Sequence, residues 1–150
     1  MLVTPHFTSD EFAQPSGRGF NRAAYPTDWI ASRLKPLCEQ LEVIRAALPT
    51  GSMVKIGSGY RSEGYNRALP GTARLSQHVQ GLAADIVVPG VAPADVHALV
   101  LKLYAEKAIR IGGLGYYART DVAPGFVHVD IRPGVRLARW NGSPRREEVG

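Results

Sequence analysis

A single cysteine, Cys38, stands among the 150 residues. One thiol excludes an internal disulfide and any zinc site built from several thiolates. No window approaches the ~20 consecutive apolar residues that a membrane-spanning helix needs, so no membrane partner is expected. The opening MLVTPHFTSDEFAQ has neither a basic start nor an apolar core, unlike a secretory signal. Cytoplasmic synthesis without self-export by that route is therefore the expectation. Repeats, low-complexity tracts and long linkers are also missing, and the length suits one domain over 1–150 with one buried core. Acidic side chains are the scarcer charge: 13 Asp and Glu against 18 Lys and Arg leave a net charge of +5. That balance favours an anionic partner. The basic residues are scattered, apart from Arg132, Arg136, Arg139, Arg145 and Arg146, and no nucleic-acid motif accompanies them. An anionic polymer other than nucleic acid fits the charge.

The apolar pattern supplies the elements. Ile30, Leu34, Leu37, Leu41, Ile44 and Leu48 recur at alternating spacings of four and three, one face of an amphipathic helix. Thr27 or Asp28 would cap it and Pro49 end it, while Pro36 inside the pattern predicts a kink or a division. Thr8, three residues before Glu11, predicts a capping box and a short helix. A loop is expected from Pro15 to about Pro26. Strands are expected over 53–56, 83–88, 111–116 and 126–131, with a second helix from Pro93 to about Lys107 and a polar, frayed tail from about 141. This mixed order, poor in βαβ units, predicts an α+β domain: an antiparallel sheet with helices packed on one side.

His78 lies seven residues before Asp85, with Gly81 between them to permit a turn. Asp85 is surrounded by Ala83, Ala84, Ile86, Val87 and Val88, and an ionised carboxylate in so apolar a strand is costly unless paired or metal-bound. On the strand that follows Gly125, Val127, Val129 and Ile131 should face the core, leaving Phe126, His128, Asp130 and Arg132 on the other side. Two imidazoles and one carboxylate supply three ligands of a catalytic zinc ion, with the fourth position open for water. The ordinary alternatives are hydrogen-bonded or surface histidines, the reading taken for His6 and His97, and a strand-end carboxylate at Asp85. The constellation points to a metal-dependent hydrolase.

Three segments, SGYRS (58–62), SQHVQGLAADI (76–86) and GFVHVDIRPG (125–134), resemble the signature of the M15 family of zinc D-Ala-D-Ala peptidases, in particular its small phage and bacterial peptidoglycan peptidases. Ser76, His78, Gly81, Ala83 and Asp85 match every fixed position of the family pattern S-x-H-x-x-G-x-A-x-D, and His128 corresponds to its last zinc histidine. GGLGYY (112–117) and Trp140 also resemble flanking features. The resemblance implies a fold shared with the hedgehog domain and one Zn2+ ion. It also implies cleavage of stem peptides in peptidoglycan, by a carboxypeptidase or an endopeptidase, and a phage endolysin is one setting. The alternative is a non-catalytic, zinc-stabilised wall-binding or virion module. Arg61 would meet a substrate carboxylate or the oxyanion, and Tyr60, Ser76, Tyr65 or Tyr116 would contact the stem from around a loop spanning 57–66. Gly125 stands where many relatives carry a carboxylate base, so Asp130, as base or as orienting partner of a ligand, and Asp121 are the candidates for that function.

Overall fold

The chain opens with a short antiparallel hairpin, β1 (Leu2–Thr4) and β2 (Phe7–Thr8), too brief to be seen in the sequence pattern. The computed structural model describes residues 1–70, 72 and 76–142. A 3-10 turn, Ser9–Phe12, follows β2, and Glu11 accepts from the Thr8 N–H at 2.8 Å as the capping box predicts. The periodic stretch from Ile30 to Leu48 divides near Pro36. A π-helical turn, Ile30–Leu34, precedes α1 (Lys35–Ala47). Proline lacks an N–H, and its ring presses on the carbonyl four residues back. The wider turn, closed by the Lys35 N–H on the Ile30 carbonyl, accommodates it. Leu34, Leu37, Leu41 and Ile44 are fully buried, so the apolar stripe does what its spacing requires.

Next come β3 (Lys55–Ser58), α2 (Glu63–Ala68), β4 (Ala83–Val87), α3 (Pro93–Ala105), β5 (Gly113–Tyr117), β6 (Phe126–Asp130) and β7 (Ala138–Gly142). The expected loop over 57–66 is thus partly strand and partly helix. Ser62 caps α2 by accepting from the Tyr65 N–H at 3.2 Å, and burial of Tyr65 and Asn66 fixes it. Among the described residues no helix is long and apolar enough to cross a membrane. Of the expected polar tail, Asn141 and Gly142 belong to β7, and 143–150 lie outside the described residues.

The five longer strands form one sheet in the order β3-β4-β6-β5-β7. The first three pairings are antiparallel as expected; the last, β5 with β7, is parallel and makes the sheet mixed. The reason is local. β6 ends with Asp130 opposite Gly113, and β7 begins with Ala138 opposite the same glycine. Residues 131–137 need only hop over one strand end to start β7 there. Ala84, Ile86, Leu114, Val127 and Val129 form the sheet's contribution to the core, beneath Leu37, Leu41 and Ile44 of α1 and Val96, Val100 and Leu103 of α3.

Candidate metal centre

The opposite face of the sheet carries the polar residues in register. One row across the strands runs Ser58, Asp85, His128, Gly115, Trp140; the neighbouring row runs Ala83, Asp130, Gly113, Ala138. Directly opposed residues share a face, so the ladder sets Asp85, His128 and Asp130 side by side. All three are buried. Gly113 is needed there, because a Cβ at that position would collide with the Asp130 carboxylate. His78 arrives from the turn 77–81, which closes with the Gly81 N–H on the His78 carbonyl, and the Arg61 N–H binds that same carbonyl.

His78, Asp85 and His128 each offer a ligand atom, all within 4.8 Å of one another. Asp85 Oδ1 is 3.2 Å from His78 Nε2 and 3.0 Å from His128 Nδ1. Ligands of a tetrahedral zinc bound at about 2.0–2.1 Å stand about 3.3 Å apart, close to these spacings. The tautomers agree. The Gly59 carbonyl can only accept, so His78 donates to it from Nδ1, at 2.7 Å, and turns the Nε2 lone pair toward Asp85. A lone pair facing a carboxylate oxygen needs a shared cation or proton. Burial holds the His78 pKa below the usual imidazole range; Asp85 pulls the other way, but Arg61 adds to the depression. The donor set therefore fits a divalent metal.

His128 is held from both sides, with Nε2 2.7 Å from Asp130 Oδ2. Burial opposes its charge, yet Asp130 and Asp85 together raise its pKa. Burial likewise opposes ionisation of Asp85, but the two imidazoles outweigh it and keep the carboxylate charged. Asp130 is 0 % exposed and also takes three donors from Arg132: the backbone N–H at 3.1 Å, Nε at 2.9 Å and Nη2 at 2.7 Å. These bonds overcome the penalty of burial and hold its pKa well below the usual carboxylate range.

Arg61 also lies in the cluster, enclosed. Nη2 is 3.6 Å from Asp85 Oδ2, Nε donates to Ser58 Oγ at 3.1 Å and Nη1 to Asn66 Oδ1 at 3.3 Å. Ser76 Oγ accepts from the His78 N–H at 3.2 Å and so braces the ligand's turn. Tyr60 is half-buried, edge-on to Tyr25 and Trp29, and Tyr65 is buried against Phe20. Tyr116 does not serve the site as expected: it shares the row of Ile86 and Val127, on the helix-covered face, with its ring 5.1 Å from that of His97. Asp121 is exposed in the β5–β6 loop. His6 is an exposed partner of Glu42 at 2.7 Å, in keeping with its surface reading. Arg132 as partner of Asp130 was not foreseen, although their i, i+2 spacing at a strand end was a usable signal.

Two imidazoles and a carboxylate, brought together from the sheet face and the turn beside it, are a donor set that could hold one metal ion. The Peptidase M15 profile matches residues 5–130, and the chain belongs to that family of peptidases. It is 33% identical over 114 residues to the peptidoglycan L,D-endopeptidase MepK of Escherichia coli K12, a match covering 71% of this chain and 57% of MepK. The MepK proteins of Escherichia coli O157:H7 and Shigella flexneri match to the same extent. The chain thus spans little more than half the length of these relatives. No solved structure gave a significant match.

Proposed function

We propose that this protein is a zinc-dependent peptidase that cleaves peptide bonds in the stem peptides of peptidoglycan, as an endopeptidase. The observation that carries the reading is the convergence of His78, Asp85 and His128 in an M15 chain. The likeness to MepK supports the wall substrate and the endopeptidase type. Zinc held by His78 Nε2, Asp85 and His128 Nδ1 would bring the pKa of a bound water toward neutrality and polarise the scissile carbonyl.

The protein's own groups prepare that centre. The Gly59 carbonyl fixes the tautomer of His78. Asp130 accepts a hydrogen bond from the Nε2–H of His128, which orients the ring and makes Nδ1 a better donor to a metal. Both oxygens of Asp130 are engaged, one by His128 and Arg132 and the other by Arg132 twice. That engagement supports a positioning role for Asp130 over proton abstraction. Arg61, enclosed by Ser58, Asn66 and Asp85, is read as the counter-charge that aims Asp85.

The test is digestion of defined muropeptides, some joined by L,D bonds and some ending in D-Ala-D-Ala, with products identified by mass. The expected result is cleavage of the L,D bond, abolished by a chelator and restored by stoichiometric zinc. Release of terminal D-alanine alone would replace the endopeptidase with a carboxypeptidase. Wall binding without any chelator-sensitive product would overturn the enzyme reading in favour of a non-catalytic module.

A further inference from the structure

A second built feature adjoins the metal centre. Arg132 presents Nε and Nη2 to Asp130 at 2.9 and 2.7 Å, which fixes the plane of its guanidinium. Nη1 has no partner among the described residues, and the side chain is 31 % exposed, against 6 % for Arg61. The guanidinium carbon lies 5.3 Å from the ring centre of Trp140, and the Trp140 ring in turn lies 5.0 Å from that of His128. Trp140 is itself pinned, donating from Nε1 to the Tyr117 hydroxyl at 2.9 Å. Gly115 makes the space, since a Cβ there would approach Nε1 to 2.5 Å. The platform stands in the same row as Asp85 and His128, on the same face of the sheet.

We propose that the Nη1 edge of Arg132, seated on Trp140, is a subsite for a substrate carboxylate close to the scissile bond. The proposal rests on the peptidase reading and names the substrate feature that the site selects. A fixed, partly exposed guanidinium edge suits a carboxylate, and the charge-assisted bond it forms is stronger than a neutral one. The charge of Asp130 is already met by His128 and Arg132, so a second carboxylate is not turned away by an uncompensated anion. One carboxylate separates Arg132 from the metal ligand His128. At ~3.5 Å per extended residue, a carboxylate on Nη1 belongs to a residue only a few removed from the cleaved carbonyl. Arg61, by contrast, has all three nitrogens facing protein acceptors.

The test compares three forms of one muropeptide at saturating zinc: free carboxylates throughout, the terminal carboxylate amidated, and the side-chain carboxylate amidated. One of the amidated forms is expected to show a KM about tenfold higher in the wild type, the loss of one charge-assisted bond, and which one it is identifies the carboxylate read. In Arg132→Gln and Trp140→Ala that ratio is expected to fall to about one, whatever loss in kcat the substrates share. An unchanged ratio in either variant, or no preference in the wild type, would overturn the subsite. Should the wild type cleave none of the three, the peptidase reading fails by itself. Calorimetric binding of the same set to zinc-loaded protein then decides the subsite, with tenfold weaker binding of one amide supporting it and equal binding overturning it.

Discussion

The two faces of the sheet are buried alike and held together by opposite means. Beneath the helices, Ala84, Ile86, Leu114, Val127 and Val129 offer nothing but aliphatic surface, and their contribution scales with area removed from water. On the other face Asp85, His128 and Asp130 are enclosed almost as completely, with Arg61 packed beside them. There each group is tolerated only because a partner compensates it. All five residues of β6 are buried, so its alternation separates two interiors and not an inside from an outside. The helix face can lose a methyl group and weaken in proportion. The site face cannot lose a member without leaving another charge or lone pair unanswered.

Substitutions on each face break that comparison most directly. His78→Ala and Asp85→Ala are expected to bring bound zinc and chelator-sensitive cleavage down together, by roughly a thousandfold or more in rate, the several kcal/mol that a bound metal supplies. Leu41→Ala, in the fully buried stripe of α1, should retain its zinc while losing about 2–5 kcal/mol of stability. At this chain length that is a fall in melting temperature of about 10 °C. Metal content by mass spectrometry and a thermal scan on the three variants separate the faces. Equal zinc in all three would undo the ligand assignment.

Asp130→Asn sharpens the comparison within the site face. The amide can still accept from His128 Nε2 but can no longer answer the Arg132 charge. As a positioning residue, Asp130 should take about 10–100-fold of zinc affinity with it, with a smaller loss of kcat once zinc saturates. Zinc affinity unchanged, with kcat down by about 100-fold or more, would instead make Asp130 the proton acceptor.

How much of this was legible depends on how local each signal was. His78, Asp85 and His128 could be read because an acid amid Ala, Ile and Val, and a histidine on an alternating strand, conflict with their surroundings over a few residues. The stripe of α1 was equally plain, and Pro36 announced its own division. β7 was not legible: its residues alternate between half-buried and exposed, and its parallel pairing follows from where 131–137 deliver the chain. The side taken by Tyr116 could not be read either, since GLGYY has no apolar alternation and its facing is inherited from Val127 across the ladder. The enclosure of Arg61 depends on Asp85, far away in sequence, and no local pattern encodes that pair.

The smallest expected effect concerns how the metal-side face is tied to the first helical segment. The Tyr25 hydroxyl donates to the Gly81 carbonyl at 2.6 Å, and Arg33 Nη1 donates to the neighbouring Gln80 carbonyl at 2.8 Å. Gly81 turns at φ +70°, and a Cβ there would meet the Tyr25 hydroxyl at 2.6 Å and the Trp29 ring at 2.9 Å. The turn that presents His78 is thus clamped from the segment leading into α1. Tyr25→Phe keeps the ring in its packing against Tyr60, 6.1 Å away, and removes only the donor. A buried carbonyl left without its partner costs about 1–3 kcal/mol. If the clamp positions His78, part of that cost must surface as weaker metal binding, about five- to tenfold in a zinc-competition titration, because the unclamped turn has to be ordered when the ligand closes on the ion. A variant that loses thermal stability but binds zinc as the wild type does would show that Tyr25 braces the fold and leaves the ligand to be set by Gly59 and Ser76 alone.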